Sequence, residues 1–377
     1  MNNIQAYLDK KKKIHSALLN FLDNDEDDEE NFQNLNQILD EQRIQYNMHE
    51  IKSLFHTIVK IANNHFRRQN FFAKLEKILQ HYKNETKFFP NYEIFNIFKS
   101  NKRLLLFLLN EKVLKIDKYI ISVVHSEKYQ SQNYHKYFET EIKLFLKEVD
   151  FVKKDFEINR KIGENEDIIC QLIRDDKLQD FISYINTSHR SLKSDIQISI
   201  FETNQFLLRK TPTLIEYSAF FGSFQIFEYL FKNKVKVNPS IWIYATHGNN
   251  ADIIFLLENS KIKPDEIICE KCIEESIKCH HNDFKIYFQN TYFPNYKNKY
   301  SKEFLIDLKY FNFAFIENKF SASSFYYLCK YDYYSIVFEL LRDKSINTNQ
   351  YVILTLINFY KIYKLFRFNT ISNKRLF

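Results

Sequence analysis

Apolar positions along most of the chain recur at i, i+3 and i+4 rather than alternating, so the pattern predicts helices in preference to strands. Asn31–Arg43, Met48–Phe66 and Phe71–Lys83 each place Leu, Ile and Phe at that spacing. Residues 1–165 are therefore expected to form an irregular helical part, read either as a domain in its own right or as degenerate repeats. The acidic run Asp23–Glu30 reads as a solvated loop between the first two helices.

From residue 166 the pattern becomes a series of paired short apolar runs separated by a turn. In Thr211–Leu230, Thr211 is an N-cap and Pro212 a first helical residue. Leu214, Ile215 and Ser218 follow at helical spacing, and Ser218-Ala219 are small enough to admit a close neighbour. Gly222 ends the helix where a left-handed residue is needed, and Ile226, Phe227, Tyr229 and Leu230 make the second run. Asn238–Leu257 repeats the arrangement with Asn249 at the turn, Glu275–Phe288 with His280, and Ser321–Leu341 with Asp332. Fainter copies place Asp176 and Asn101 at turns. The turn-to-turn steps are 27 and 31 residues, then 52, so residues near 289–320 read as an insertion or a degenerate repeat. An α-hairpin cannot bury its apolar face alone, and stacked hairpins with a period of about 33 residues give an α-solenoid.

Residues 211–238 resemble the ankyrin pattern at Thr211-Pro212, Ser218-Ala219, Gly222, Ile226-Phe227, Tyr229-Leu230 and Val237-Asn238. The wording of "SIFETNQFLL", "WIYATHGNNADIIFLLE" and "YYLCKYDYYSIVFELL" resembles, more narrowly, a large expanded family of divergent ankyrin proteins in trichomonad protists. Members of that family carry a domain of unknown function among their repeats. The resemblance covers about residues 15–345 and implies an all-α, ankyrin-like solenoid over 166–345 that works by protein interaction. Such arrays usually continue into further regular repeats, whereas this sequence ends soon after the fourth copy.

Composition supports the helical reading. With 377 residues the chain holds three Gly and five Pro, too few for a sheet protein's turns, against 38 Phe and 25 Tyr. No segment reaches the roughly 20 apolar residues of a membrane span. Five cysteines, no recognisable signal peptide and a mean hydropathy of −0.42 lead to the expectation of a cytoplasmic protein. The net charge of +7 is concentrated at one end, with six basic and no acidic residues from Lys344 onward. A nucleic-acid partner is not expected. Residues 346–377 read as a basic aromatic tail forming a truncated terminal helix, and membrane contact is expected only through it.

Candidate chemistry is sparse. Gly163, Gly222 and Gly248 are isolated, so there is no phosphate loop, and nucleophile-elbow and zinc-protease motifs are absent. No cofactor is expected and the chain reads as a non-enzyme. Cys269, Cys272, Cys279, His280 and His281 are dense in metal-ligating types, but the second pair of a zinc module is missing, so no metal is expected. Trp242 is read as core packing rather than as an anchor for a partner. In a stacked array the residues after the small pair reach the groove: Phe220 and Phe221, His247, Lys278, Lys330 and Tyr331 are the candidate partner-binding strip. The apolar members have two readings, exposure in the groove or packing on adjacent repeats. The leading function is a protein–protein interaction scaffold with an unknown protein partner; the alternative is peripheral membrane or anionic-polymer binding through the tail.

Overall fold

The computed structural model describes residues 2–24, 29–68, 70–148, 154–208, 210–292 and 300–342. Among these residues the chain is all-helical, with no strand and one isolated bridge between Asp195 and Thr213. The tail proposed for 346–377 lies outside them.

The first half contains α1 (Asn2–Asp23), α2 (Glu29–Glu41), α3 (Met48–Asn64), α4 (Phe71–His81), α5 (Asn91–Phe98) and α6 (Lys102–Asn110). Shorter helices follow: α7 (Lys118–Val124), α8 (Glu127–Gln130), α9 (Tyr134–Tyr137), α10 (Glu139–Leu146) and α11 (Lys154–Ile162). They enclose one apolar core that includes Leu18, Phe55, Leu75, Phe98, Leu105 and Tyr134. Asn101 is an extended N-cap, its side chain accepting from the Leu104 N–H, and not a left-handed hairpin turn.

The second half is built from hairpins: α12 (Ile168–Arg174) with α13 (Leu178–Ser188), α14 (Leu214–Phe220) with α15 (Phe224–Lys232), and α16 (Ile241–Gly248) with α17 (Ala251–Glu258). Next come α18 (Glu266–Cys279) with α19 (Asn282–Tyr292), α20 (Tyr300–Tyr310), and α21 (Ala322–Lys330) with α22 (Tyr334–Arg342). First helices stack in chain order, α12 on α14, α14 on α16, α16 on α18, α18 on α20 and α20 on α21. Second helices form a parallel row, α13 on α15 and α15 on α17. Asp176, Gly222, Asn249, His280 and Asp332 all have positive φ, between 48° and 64°. Phe311 does too (58°), 31 residues after His280 and 21 before Asp332. The stretch read as an insertion or a degenerate repeat thus holds α20, which extends the first-helix row and leads into α21.

Thr211 is not the cap of α14. The Pro212 carbonyl accepts from Ile196 N–H at 2.7 Å, which holds the chain extended, and Thr213 forms a reciprocal capping box with Glu216. The first-helix row is not an open face either. Helix α1 packs on α22, with Ile4 and Leu8 in a core shared with Leu308, Phe325 and Ile336. Helix α3 packs on α18.

Candidate functional site

The six candidate partner-binding residues divide into two groups. Phe220 is wholly buried, and Phe221 and His247 nearly so. Phe221 packs against Tyr217 and Arg174, while the cover of Phe220 and His247 is the non-helical link 199–208, whose Phe206 ring stacks on Phe220 at 5.3 Å. His247 stacks on Phe220 at 3.6 Å and lies between the Phe220 carbonyl, 3.2 Å from Nδ1, and the Asn204 amide, 3.1 Å from Nε2. The link is itself pinned to the first half, with Gln205 N–H donating to Asn63 O at 3.0 Å and Lys102 Nζ to Ile200 O at 2.7 Å. Of the two readings of the strip, exposure in a groove and packing, these three residues take packing, and sequence patterning did not show which loop would cover Phe220 and His247. Trp242 is fully buried and its indole N–H donates to Ile262 O at 2.9 Å.

Lys278, Lys330 and Tyr331 come together on a different surface. Each lies at the C-terminal end of a first helix, and α20 contributes Lys309-Tyr310 at the same place. Helix C-termini carry partial negative charge, which suits lysines there. The Nζ atoms of Lys60, Lys278 and Lys309 lie 5.8, 5.9 and 5.0 Å from the centre of one ring, that of Tyr310. Lys330 sits 5.7 Å from each of the Tyr326, Tyr327 and Tyr331 rings. Burial, reinforced by the charge of Lys309, brings the half-buried Lys60 ammonium down to about 8. Burial and the neighbouring Lys278 and Lys330 likewise lower Lys309. Among the described residues only Lys278 of these is paired, with Glu274 at 2.9 Å and Glu275 at 3.6 Å, which outweigh burial and raise it. Burial pushes the Tyr310 phenol to about 12. Lys60, Lys309 and Tyr310 escaped the sequence reading. The repeated Lys-Tyr pair at 309–310 and 330–331 was the available signal for two of them; Lys60, on a first-half helix, gave none.

Histidines form the junction between the halves. His15 Nε2 and His280 Nδ1 share a hydrogen bond of 2.8 Å, so one ring donates and the other accepts. His65 is held by Asp23 at 2.7 Å and packs edge-on against His280 and at a tilt against His281. His281 Nδ1 lies 3.0 Å from Thr246 O. Burial holds the imidazoles of His15, His247, His280 and His281 below their ordinary range. The turn residue Asp332 belongs to the same seam, meeting Lys52 at 3.2 Å and His56 at 3.3 Å. Burial would raise its carboxyl, but the hydrogen bond from His56 and the charge of Lys52 prevail and bring it to about 2.

Cys269, Cys272 and Cys279 are buried on α18, while His280 and His281 turn to His15 and Thr246. A different trio, His247, Glu275 and Cys279, brings ligand atoms within 4.8 Å of one another among the described residues. Each already has a protein partner, the Cys279 thiol donating to Glu275 at 3.5 Å. Burial raises both Glu275 and Cys279 above their ordinary ranges. Among the described residues no helix is long and apolar enough to cross a membrane. Comparison with family models, curated proteins and solved structures finds no match to this chain.

Proposed function

We propose that the chain is a non-enzymatic protein-interaction scaffold built on an ankyrin-like α-solenoid, and that its docking surface is the lysine–tyrosine face rather than a groove lined by Phe220 and His247. One observation carries the reading: Lys278, Lys309-Tyr310 and Lys330-Tyr331 occupy the same helix-end position in successive first helices, so stacking joins them into one surface. Repeat arrays recognise partners through such aligned positions. Aromatic residues supply much of the binding energy at interfaces.

The test is capture of partners from lysate with three baits: the full chain, a Lys309→Ser/Tyr310→Ser/Lys330→Ser/Tyr331→Ser variant, and a chain ending at Ser345. Loss of the same partner from the four-site variant alone is expected. A partner lost only with the tail would transfer the function to residues beyond 345. Binding by the face should retain a substantial part of its strength at about 0.5 M salt, where a purely electrostatic tail interaction is screened within a few Å.

A further inference from the structure

The lysine–tyrosine face gathers four lysines from α3, α18, α20 and α21, and its two carboxylates, Glu274 and Glu275, both pair with Lys278. Among the described residues Lys60, Lys309 and Lys330 form no ion pair, and only Lys278 is neutralised. The arginines behave differently. Arg67, Arg103, Arg160, Arg174 and Arg190 each meet a carboxylate of this chain. These five planar cations are thus satisfied internally, whereas the Lys309 and Lys330 ammonium groups lie exposed and Lys60 half-buried beside them.

We propose that this face binds a phosphorylated side chain of a partner protein, its phosphoryl group seated among Lys60, Lys309 and Lys330 beside Tyr310 and Tyr331. This inference rests on the interaction-scaffold reading and names the partner's chemistry. A phosphomonoester carries close to two charges near neutral pH and several strong acceptors, so one lysine does not balance it and several do. Tyr310 and Tyr331 each add a hydroxyl that can donate. A partner segment suits the site better than a small free anion because the aromatic surface extends past the charges. Tyr326 is exposed and Tyr327 half-buried beside Lys330, a platform for the residues that flank the phosphorylated one.

The experiment is fluorescence polarisation on the full chain with paired labelled peptides, identical except for a central phosphoserine or serine and a central phosphotyrosine or tyrosine. Inorganic phosphate serves as competitor, and phosphatidylcholine vesicles doped with a phosphoinositide as a parallel probe. One phosphopeptide is expected to bind at least about ten-fold more tightly than its unmodified twin. The Lys309→Gln/Lys330→Gln variant, which breaks no ion pair, should lose that margin while keeping its circular dichroism spectrum. Lys232→Gln/Lys236→Gln, at the α15 hairpin tip, should leave it intact. Equal binding of modified and unmodified peptides overturns the proposal, as does an unaffected Lys309/Lys330 variant. Binding of the vesicles without the peptides would make this a membrane-facing surface and also overturn it. If inorganic phosphate binds as tightly as the peptide, the partner-segment assignment falls. A lysate partner still lost from the lysine variant, with every peptide pair indistinguishable, would sink this inference and leave the scaffold reading standing.

Discussion

Gly248 lies directly against Gly222, one at the end of α16 and the other in the turn after α14. A Cβ built on Gly248 would stand 2.0 Å from Ala219 O and 2.8 Å from Gly222 N, and one on Gly222 would stand 2.5 Å from Gly248 O. Two of the three glycines thus let successive first helices touch backbone to backbone. Gly222→Asn separates the two demands, because Asn tolerates φ of 64° but keeps its Cβ. It is expected to cost about 2–4 kcal/mol in urea denaturation, and Gly248→Ala a similar amount. Gly163→Asn should cost less than either, since the three atoms nearest its Cβ are side-chain atoms of Arg103, from 3.2 Å, and none is backbone. Near-neutral Gly222→Asn and Gly248→Ala would refute the close approach.

Acid should loosen the seam between the halves. Folding depresses the imidazoles of His15 and His281 to about 3 and lowers those of His247 and His280 too. Below about pH 6.5 the unfolded chain then takes up protons that the folded one refuses, so stability drops as pH falls. Each such group contributes up to about 1.4 kcal/mol per pH unit. Asp307, raised to about 7 by burial, and the raised Glu202 and Glu275 act in the opposite sense. The net expected loss from pH 6.5 to 5.5 is about 1–3 kcal/mol. Urea midpoints across that range check it. His281→Gln should flatten the slope, and a flat profile in the parent protein would contradict a neutral histidine seam.

The hairpins of the second half were legible because one small set of local rules recurs: an apolar run, a residue that accepts positive φ, a second apolar run. The capping box at Thr213 and Glu216 was legible too, yet the more familiar Thr211-Pro212 pair drew attention away from it. Long-range packing left no such trace. Nothing in "ETNQF" announces that Asn204 and Phe206 will cover His247 and Phe220, and nothing in α1 announces a bond from His15 to His280, 265 residues away. Repeat geometry left exposure and packing equally open for Phe220 and Phe221, and the choice was made by elements from outside the local pattern.

Phe206 is the apolar centre of that cover, with Lys210 Nζ 3.0 Å from its ring centre and Tyr244 edge-on at 5.0 Å. Phe206→Ala is expected to cost about 3 kcal/mol and to speed backbone amide exchange at residues 217–222. A loss below about 0.5 kcal/mol with unchanged exchange would show the link to be dispensable.

Trp242 and the cysteines report on the core without any substitution. The single tryptophan should emit at short wavelength and resist iodide quenching until the protein unfolds. All five thiols are buried. Burial raises Cys170 to about 12 and Cys269 to about 11, where little thiolate exists. Ellman's reagent should therefore titrate five thiols in denaturant and essentially none in the native protein within minutes. Fast native labelling would mean that α12, α18 or α21 opens.

The first two turns of α1 bury Ile4 and Leu8 against residues from 308 onward. On the ribosome, at roughly 5–20 residues per second, these turns precede their cover by about 15–60 s. During that interval an apolar helix end is sticky and unshielded, and the seam closes only when α20–α22 emerge. Vectorial synthesis thus delays this closure until α22 is made, so a chain released before then leaves the α1 clasp undone.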